Sequence, residues 1–182
     1  MREPRLTRAV ALAPCAARRE RALLQRWLAA PHVRRWWGDP ARNLDDLLSP
    51  PVGGGEALIE VAARPVGYVR WQIPSRDELV EAGLGDLPEG TLDIDIAIGE
   101  PAYLGRGVAS KALRLLVRRL CATPAPPAIM ICTAVDNLAA LRAYEAAGFV
   151  RDRLFEDPQF GAMWCLLIST VATPRLPRPR PR

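Results

Sequence analysis

One stretch in the middle of the chain constrains the fold more than any other, because it predicts a strand, a tight turn and a helix in direct succession. Thr91–Gly99 alternates apolar and polar residues, which is typical of a strand with one buried face. Val108–Cys121 has leucine and valine at helical spacing. The connection contains Leu104–Ala109, in which Gly105 and Gly107 permit a sharp change of chain direction. This succession predicts an α/β fold.

The same alternation of strand and helix patterns continues on both sides of this stretch. Further strands are predicted at Leu6–Leu12, Ala57–Ala63, Val66–Trp71, Ala128–Thr133, Phe149–Phe155 and Gly161–Ile168. Further helices are predicted at Ala16–Ala29, which Pro31 ends, in a short segment capped by Asn43, and at Asn137–Ala147, which Gly148 closes. The dipeptide Arg64-Pro65 is predicted as the turn of a hairpin.

The length of the chain predicts a single domain. A chain of 182 residues is long enough to bury a substantial core, and 49% of its residues are hydrophobic, which excludes a wholly disordered protein. We expect the domain to span residues 1–172. The last residues, 173–182, are almost entirely proline and arginine with little to bury, so this tail is predicted to be disordered.

The charges are distributed unevenly along the chain. A formal net charge of +5 is compatible with nucleic-acid binding, but the segment from Asp77 to Gly105 contains no Lys, Arg or His. Its carboxylates are Asp77, Glu78, Glu81, Asp86, Glu89, Asp93, Asp95 and Glu100. Most of this segment is predicted to be a long loop with at most one helical turn. Such a surface attracts cations and repels phosphate, so we expect no nucleic-acid partner. The alternative is an acidic loop that is merely solvated.

The cysteine and histidine content argues against a metal site. Four widely spaced cysteines and one histidine, His32, do not form a ligand set for zinc. Widely spaced thiols in a chain of this size fit a reducing compartment, so we expect a cytoplasmic protein. No apolar run reaches the ~18 residues that a membrane span needs, and Pro14 interrupts the short apolar run near the start. We expect no membrane partner.

The glycine-containing turn has the properties of an anion site. Glycines at the start of a helix let the backbone approach a ligand closely, and the first N–H groups of that helix have no partner within it. The helix dipole adds positive potential, so such a turn suits a pyrophosphate. Arg106 can add a charged donor. The alternative is a plain tight turn without a ligand.

A second motif follows about thirty residues later and decides between these alternatives. It has Asn137, Ala140, Tyr144 and then Gly148-Phe149 at a spacing that, together with the glycine turn, resembles the GNAT superfamily of N-acetyltransferases. The first motif resembles the acyl-CoA loop of that family, Gln/Arg-x-x-Gly-x-Gly/Ala, except that Leu104 stands at the Gln/Arg position. The resemblance is strong from Asp93 to Arg153 and weak before it.

The resemblance implies a fold and a donor, acetyl-CoA, without a metal. It implies a mixed, mostly antiparallel sheet of about six or seven strands with helices on both faces, in which Thr91–Gly99 and Ala128–Thr133 form a splayed parallel pair. The pantetheine arm would lie along Ile96, Ala97 and Ile98. The pyrophosphate would be held by Leu104, Gly105, Arg106, Gly107, Val108, Ala109 and Ser110.

Two side chains of the second motif have implied roles. Tyr144 would protonate the departing thiolate, and Asn137 would bind the pantetheine arm or orient the loop. The structural alternatives are that Tyr144 is a core aromatic residue and that Asn137 is only a helix N-cap.

Within the family, three features resemble aminoglycoside 6'-N-acetyltransferases. They are the His32–Gly38 run, an aspartate at Asp95 in the strand, and the loop Tyr103–Gly107. Asp95 would accept the proton of the acceptor amine. The acceptor would be a small polycationic amine, and the implied contacts to it are Trp36, Trp37, Asp93, Asp95 and Asp136. The alternatives are solvated strand carboxylates at Asp93 and Asp95, packing roles for the tryptophans and a structural role for His32.

One departure leaves the acceptor open. Relatives that acetylate aminoglycosides often have an aspartate at the end of the strand before the second motif, where this chain has Cys132 and Thr133. An acyltransferase for siderophore precursors or for protein N-termini is therefore an alternative. A GNAT-fold protein that binds CoA without turnover is an alternative from another class. The oligomeric state, monomer or homodimer, also stays open.

Overall fold

The computed structural model of the chain describes residues 9–122 and 124–170, and seven strands form one sheet within them. The strands are β1 Val10–Pro14, β2 Gly55–Val61, β3 Arg64–Gln72, β4 Leu92–Ile98, β5 Ala128–Ala134, β6 Val150–Asp157 and β7 Gly161–Ser169. Their order across the sheet is β1-β2-β3-β4-β5-β7-β6. The helices are α1 Arg21–Ala29, α2 Pro31–Trp37, α3 Pro40–Leu48, α4 Arg76–Glu81, α5 Val108–Leu120 and α6 Leu138–Ala147.

The pair β4–β5 is parallel, and every other neighbouring pair is antiparallel. β4 and β5 pair only at their first residues, Leu92 with Ile129 and Asp93 with Met130. β4 continues to Ile98 without a partner on that side, so the two strands diverge and leave a gap in the sheet. The splayed parallel pair and the mostly antiparallel sheet are confirmed.

Helices cover both faces of the sheet, as predicted. On one face α5 and α6 pack on the sheet core, with Leu113, Leu116 and Ile131 fully buried. Burial of each such side chain contributes about 1.5–3 kcal/mol. On the other face α1, α2 and α3 cover Leu58 and Tyr68, and Leu79 of α4 belongs to a separate cluster that covers β5 and β7.

The N-terminal elements differ from the sequence prediction. β1 begins at Val10, and the residues before position 9 lie outside the described chain. Pro31 ends α1 but is also the first residue of α2, where its missing N–H has no cost. The predicted N-cap at Asn43 is wrong. Asp39 caps α3 instead, because its Oδ1 accepts hydrogen bonds from the backbone N–H groups of Ala41 and Arg42 at 2.8 and 2.9 Å.

The β2–β3 hairpin turns two residues earlier than predicted. Ala62 and Ala63 both have positive φ angles, 52° and 58°, which is the pattern of a type I′ turn. β3 therefore begins at Arg64 and includes Pro65. A register irregularity between Ile59 and Glu60 accommodates this proline, which cannot donate to the ladder.

The elements from β4 onward agree closely with the prediction. The acidic segment is more helical than predicted: it contains the six-residue helix α4 instead of at most one helical turn, and Ser75 and Glu78 start this helix with a capping box. Asn137 caps α6, and Gly148 ends it in the left-handed conformation with φ 105°. The predicted tail, 173–182, lies outside the described residues.

Candidate active site

The gap between β4 and β5 exposes main-chain groups of β4. Gly99 donates its N–H to the carbonyl oxygen of Val66 at 2.9 Å, on the β3 side. Successive residues of a strand direct their N–H and C=O groups to opposite sides, so Ala97 also faces β3 and pairs with Tyr68. The N–H and C=O groups of Ile96 and Ile98 face the gap. Ile96, Ala97 and Ile98 are the residues predicted to bind the pantetheine arm. Of these, Ile96 and Ile98 direct their backbone groups into the gap.

Helix α2 lies over this gap. The Nε2 atom of His32 is 3.0 Å from the carbonyl oxygen of Ile98 and donates a hydrogen bond to it when that nitrogen holds the proton. At the other end of α2, a Cβ placed on Gly38 would lie 3.2 Å from Nε2 of Gln159 and 3.5 Å from Phe160. Helix α2 therefore spans from the end of β4 to the β6–β7 turn. This contact is compatible with a structural role for His32, which stays a prediction.

The two tryptophans of α2 have different surroundings, and both are half-buried. Trp37 packs against the cluster formed by α1, α3 and the sheet, and its carbonyl oxygen accepts a hydrogen bond of 2.5 Å from Asn43. Trp36 stacks under the guanidinium of Arg35, whose Cζ lies 4.7 Å from the ring centroid. A packing role is thus evident for Trp37, and Trp36 is the more available for a ligand.

The loop before α5 is shaped by its glycines. Gly105 and Gly107 have φ angles of 68° and 72°, a region that favours glycine, and a Cβ on Gly105 would meet no atom within 4 Å. Gly107 is the N-cap of α5 and provides no side-chain cap. Its carbonyl oxygen accepts the first helical hydrogen bond, from Lys111 at 3.2 Å.

Several N–H groups at this loop are therefore available. Among the described residues, no acceptor is found for the backbone N–H groups of Val108, Ala109 and Ser110. The Ser110 hydroxyl donates back to Gly107, and the side chains of Leu104 and Arg106 are exposed. Open space, exposed backbone and unpaired N–H groups fit a pyrophosphate.

Asp93 and Asp95 lie on the sheet face opposite α5. In the β3–β4 register Asp95 is paired with Arg70 and Asp93 with Gln72. Burial raises the pKa of Asp93 well above its usual value, and the negative charges of Asp95 and Glu78 raise it further. The side chain of Asp95 reaches solvent, but loss of hydration within the cleft raises its pKa, and Arg70 opposes this shift.

Tyr144 of α6 belongs to the same cleft. Its side chain is 7% exposed, and its ring lies 6.5 Å from that of Phe149 between centroids. Burial raises the pKa of Tyr144, and the charges of Asp95, Cys132 and Asp93 add to this effect. The phenol is therefore protonated at neutral pH. Its hydroxyl has no hydrogen-bond partner in the part of the chain that the structure describes, so it is free to donate a proton.

Cys132 and Thr133 lie in the region where the resemblance leads us to expect an aspartate. Cys132 is directly opposite Cys165 in the β5–β7 pair. A hydrogen bond with Cys165, burial and the charge of Asp93 raise the pKa of the Cys132 thiol well above its usual value. A neutral thiol therefore lies beside the two aspartates.

The polar atoms of Asn137 serve the fold. Its side-chain oxygen accepts a hydrogen bond from the backbone N–H of Ala140 at 3.2 Å, and its amide nitrogen donates to the Thr133 hydroxyl at 3.1 Å. One amide N–H remains for another acceptor. Asp136 is exposed in the turn before α6.

The acidic segment is partly neutralised by arginines from elsewhere in the chain. Asp86 forms an ion pair with Arg153 at 2.6 Å, and Glu100 forms one with Arg26 at 2.5 Å. Glu78 accepts a hydrogen bond from the Ser75 backbone. Within the described residues, Asp77, Glu81 and Glu89 make no ion pair. The surface is less acidic than the base-free segment predicts.

Arg70 is a site residue that the sequence analysis did not identify. It is 5% exposed in the centre of β3, and its cationic group acts on Asp95. The available signal was an arginine within the otherwise apolar run Val66–Trp71. A charged residue in a buried strand is rarely there for packing alone.

Together, the splayed strands and the helix start with unpaired N–H groups define a class of protein that holds an extended ligand bearing phosphates. Residues 17–157 match the model of the acetyltransferase (GNAT) domain, and the chain belongs to this family. The prediction of an acetyltransferase from the two motifs is thereby confirmed.

The named relatives agree with the resemblance to aminoglycoside 6'-N-acetyltransferases. The chain is 29% identical over 158 residues to aminoglycoside N(6')-acetyltransferase type 1 of Klebsiella pneumoniae, covering 79% of this chain and 75% of the relative. It is 32% identical over 93 residues to a kanamycin resistance protein of Rhizobium radiobacter, covering 50% and 86%. The structure of AAC(6')-Ib with coenzyme A and kanamycin has a TM-score of 0.74 at 24% identity, covering 89% and 95%. This last likeness shows the fold.

In the described part of the chain, no helix has the length and apolar character needed to cross a membrane. No group of three or more His, Cys, Asp or Glu side chains among the described residues could hold a metal ion.

Proposed function

We propose that the protein transfers the acetyl group of acetyl-CoA to a primary amine of an aminoglycoside, at the 6' position. The observation that carries this proposal is the meeting of Asp95, Asp93 and Tyr144 beside the gap between β4 and β5. The named relatives support the acceptor class.

The donor would be held mainly by backbone atoms. The pantetheine arm adds to β4 at Ile96 and Ile98, whose main-chain groups face the gap. The pyrophosphate lies against the loop and the first turn of α5, where the unpaired N–H groups of 108–110 supply donors. Asn137 orients Thr133 and the start of α6 beside the arm.

The chemistry would be direct transfer in a ternary complex. The acceptor amine arrives protonated and loses this proton to Asp95, directly or through a water molecule. Its nitrogen then attacks the thioester carbonyl carbon and the C–N bond forms. The C–S bond breaks, and the nitrogen releases its second proton to solvent to give the neutral amide. Backbone N–H groups of β4 stabilise the oxyanion. Tyr144 donates its proton to the departing thiolate and regains a proton from solvent; its raised pKa keeps the phenol protonated before the transfer.

The acceptor would enter on the sheet face that contains the aspartates. Trp36 and Trp37 of α2 would border the cleft on one side, and Asp136, in the turn before α6, would border it on another. Carboxylates in a cleft concentrate a polycation. Cys132 and Thr133 lie in the region where relatives often have an aspartate, so fewer negative charges are available to bind an aminoglycoside. Siderophore precursors and protein N-termini therefore stay as alternative acceptors.

Acceptor profiling tests the proposal. Release of free CoA thiol is measured with kanamycin-type and gentamicin-type drugs, a hydroxylated siderophore-precursor amine and an N-terminal peptide, and the acetylated position is determined by NMR. We expect turnover with the drugs and acetylation of the 6' amine. Faster turnover with the precursor or the peptide would overturn the aminoglycoside assignment, and no release with any acceptor would favour a protein that binds CoA without turnover.

A matched pair of variants tests the base. Asp95→Asn should lower turnover by about 10²- to 10⁴-fold, because it removes the proton acceptor but keeps the shape of the side chain. Asp45→Asn, at an exposed position of α3, should retain native turnover. Equal activity of the two variants would exclude Asp95 as the base.

We also propose a cytoplasmic location. All four cysteines are free thiols, which supports a reducing compartment. Both a monomer and a homodimer are compatible with a cleft built from one chain, and analytical ultracentrifugation distinguishes them.

A further inference from the structure

Arg70 is a buried cation without a carboxylate partner. Its Nη1 atom donates to the carbonyl oxygen of Asp46 at 2.8 Å, and Nη2 donates to Oε1 of Gln72 at 2.9 Å. Its Nε atom is buried and has no hydrogen-bond partner within residues 9–122 and 124–170. Arg70 forms no ion pair with any described carboxylate. Burial of a cation without a carboxylate partner is unfavourable, so stability alone does not account for Arg70.

The strand register places Arg70 opposite Asp95. Directly opposite residues in an antiparallel pair have Cβ atoms about 4.5–5.5 Å apart and lie on the same face of the sheet. The hydrogen bonds to Asp46 and Gln72 hold the guanidinium at this position, and Gln72 is itself opposite Asp93. Arg70 therefore acts most strongly on one carboxylate of the pair.

The charged groups near the two aspartates have opposite signs. Burial raises the pKa of both. The negative charge of Glu78 on α4 then raises the pKa of Asp93 further, whereas the positive charge of Arg70 lowers that of Asp95. Two neighbouring carboxylates resist ionising together, so these opposite influences decide which of them keeps a proton.

We propose that Arg70 is a positioning residue for catalysis, whose buried charge keeps Asp95 ionised and leaves the proton of the aspartate pair on Asp93. This inference rests on the proposed function, in which Asp95 accepts the proton of the amine. During transfer that proton moves from the amine nitrogen to Asp95, while Asp93 retains its own. Arg70 would act through Asp95 and not directly on the acceptor or the donor.

The other groups that face Asp95 do not supply a positive charge. In the described residues they are Asp93 on β4, Cys132 on β5 and Tyr144 on α6, with Cys165 on β7 acting through Cys132 and Glu78 on α4 acting through Asp93. The raised pKa values of Cys132 and Tyr144 keep both groups neutral at neutral pH. Among the described residues, Arg70 is the cation that acts on Asp95.

The first test is the pH profile of kcat/KM for the acceptor in Arg70→Gln and Arg70→Lys. Loss of the positive charge raises the pKa of the base, so the acidic limb of the Arg70→Gln profile should move to higher pH by about 1–3 units. Arg70→Lys keeps a charge and should restore most of the native limb. Arg76→Gln removes an arginine that also donates to a backbone carbonyl, and its limb should not move.

A purely structural role for Arg70 predicts another result. In that case Arg70→Gln lowers activity at every pH and does not shift the acidic limb of the pH profile. This outcome would overturn the proposal. Acetyl-CoA affinity is measured in each variant as a check on the fold. If Asp95→Asn keeps native turnover, the proposed base is wrong; if Asp95→Asn is impaired and the Arg70→Gln limb is unchanged, only the role of Arg70 is wrong.

A second test does not depend on the stability of Arg70 variants. Infrared spectroscopy at neutral pH detects the C=O stretch of a protonated carboxyl group. We expect this band in the native protein, its loss in Asp93→Asn and its persistence in Asp95→Asn. Loss of the band in Asp95→Asn instead would show that Asp95 holds the proton, and this result would overturn the proposal.

Discussion

The two sides of the cleft are built from different kinds of atoms. The proposed donor side, residues 104–110 with the edge of β4, offers backbone N–H and C=O groups, and the φ angles of Gly105 and Gly107 shape its loop. The proposed acceptor side consists of side chains from α2, β3, β4 and β5. A site made of backbone atoms is expected to tolerate a change of side chain, such as Leu104 at the Gln/Arg position, whereas a site made of side chains changes with one substitution. We therefore expect substitutions of side chains to affect binding of the acceptor more than binding of acetyl-CoA.

The largest effect should come from breaking the donor side at a glycine. Gly107 has φ 72°, which a β-branched residue rarely adopts, and it precedes the unpaired N–H groups of α5. Gly107→Val should abolish measurable acetyl-CoA binding in isothermal titration calorimetry. Gly83→Val is the matched control, because Gly83 has φ 70° and open space around it but lies beyond the loop, at the end of α4. Equal affinities in the two variants would show that the loop does not hold the donor.

The same difference explains what the sequence could predict. The donor side lies in two local motifs, and the strand, loop and helix around it follow from periodicity, so 91–121 and α6 were predicted within a few residues. The acceptor side depends on register and on contacts between distant residues. The pairing of Arg70 with Asp95, the contact of His32 with Ile98 and the neutralisation of Asp86 by Arg153 leave no trace in local sequence.

The next effect tests the residue that joins the two sides. Tyr144→Phe keeps the buried ring and removes the hydroxyl, so turnover should fall by about 10²- to 10⁴-fold if protonation of the thiolate limits the rate. Acetyl-CoA affinity should change little, since the arm is held by backbone. Steady-state kinetics and calorimetry measure the two quantities separately. Native turnover in this variant would leave Tyr144 as a packing residue.

A smaller effect should follow from disturbing the packing under the acceptor side. A methyl group on Gly99 would overlap the indole of Trp27, which docks α1 on the end of β4 and donates to Glu100 at 2.9 Å. Gly99→Ala should lower the free energy of unfolding by about 1–3 kcal/mol in a urea titration. In the background of Trp27→Leu the same substitution should cost less, and this double-mutant cycle isolates the contact. An equal cost in both backgrounds would place the strain elsewhere.

The smallest effect concerns the acidic surface near the acceptor side. Asp77 and Glu81 of α4 have no ion-pair partner in the described chain, so their charges act on solvent and on an approaching polycation. Asp77→Asn combined with Glu81→Gln should raise KM for a tetra- or penta-amine acceptor by about two- to fivefold at low salt, because exposed charges interact weakly. It should also reduce the salt dependence of that KM, while kcat and the KM for acetyl-CoA stay native. Glu60→Gln combined with Asp45→Asn removes the same charge from β2 and α3 and should leave KM unchanged. If both double variants behave alike, or if cationic drugs are no better acceptors than small neutral amines, the acidic segment is only a solvated surface and the acceptor is selected by the aspartate pair alone.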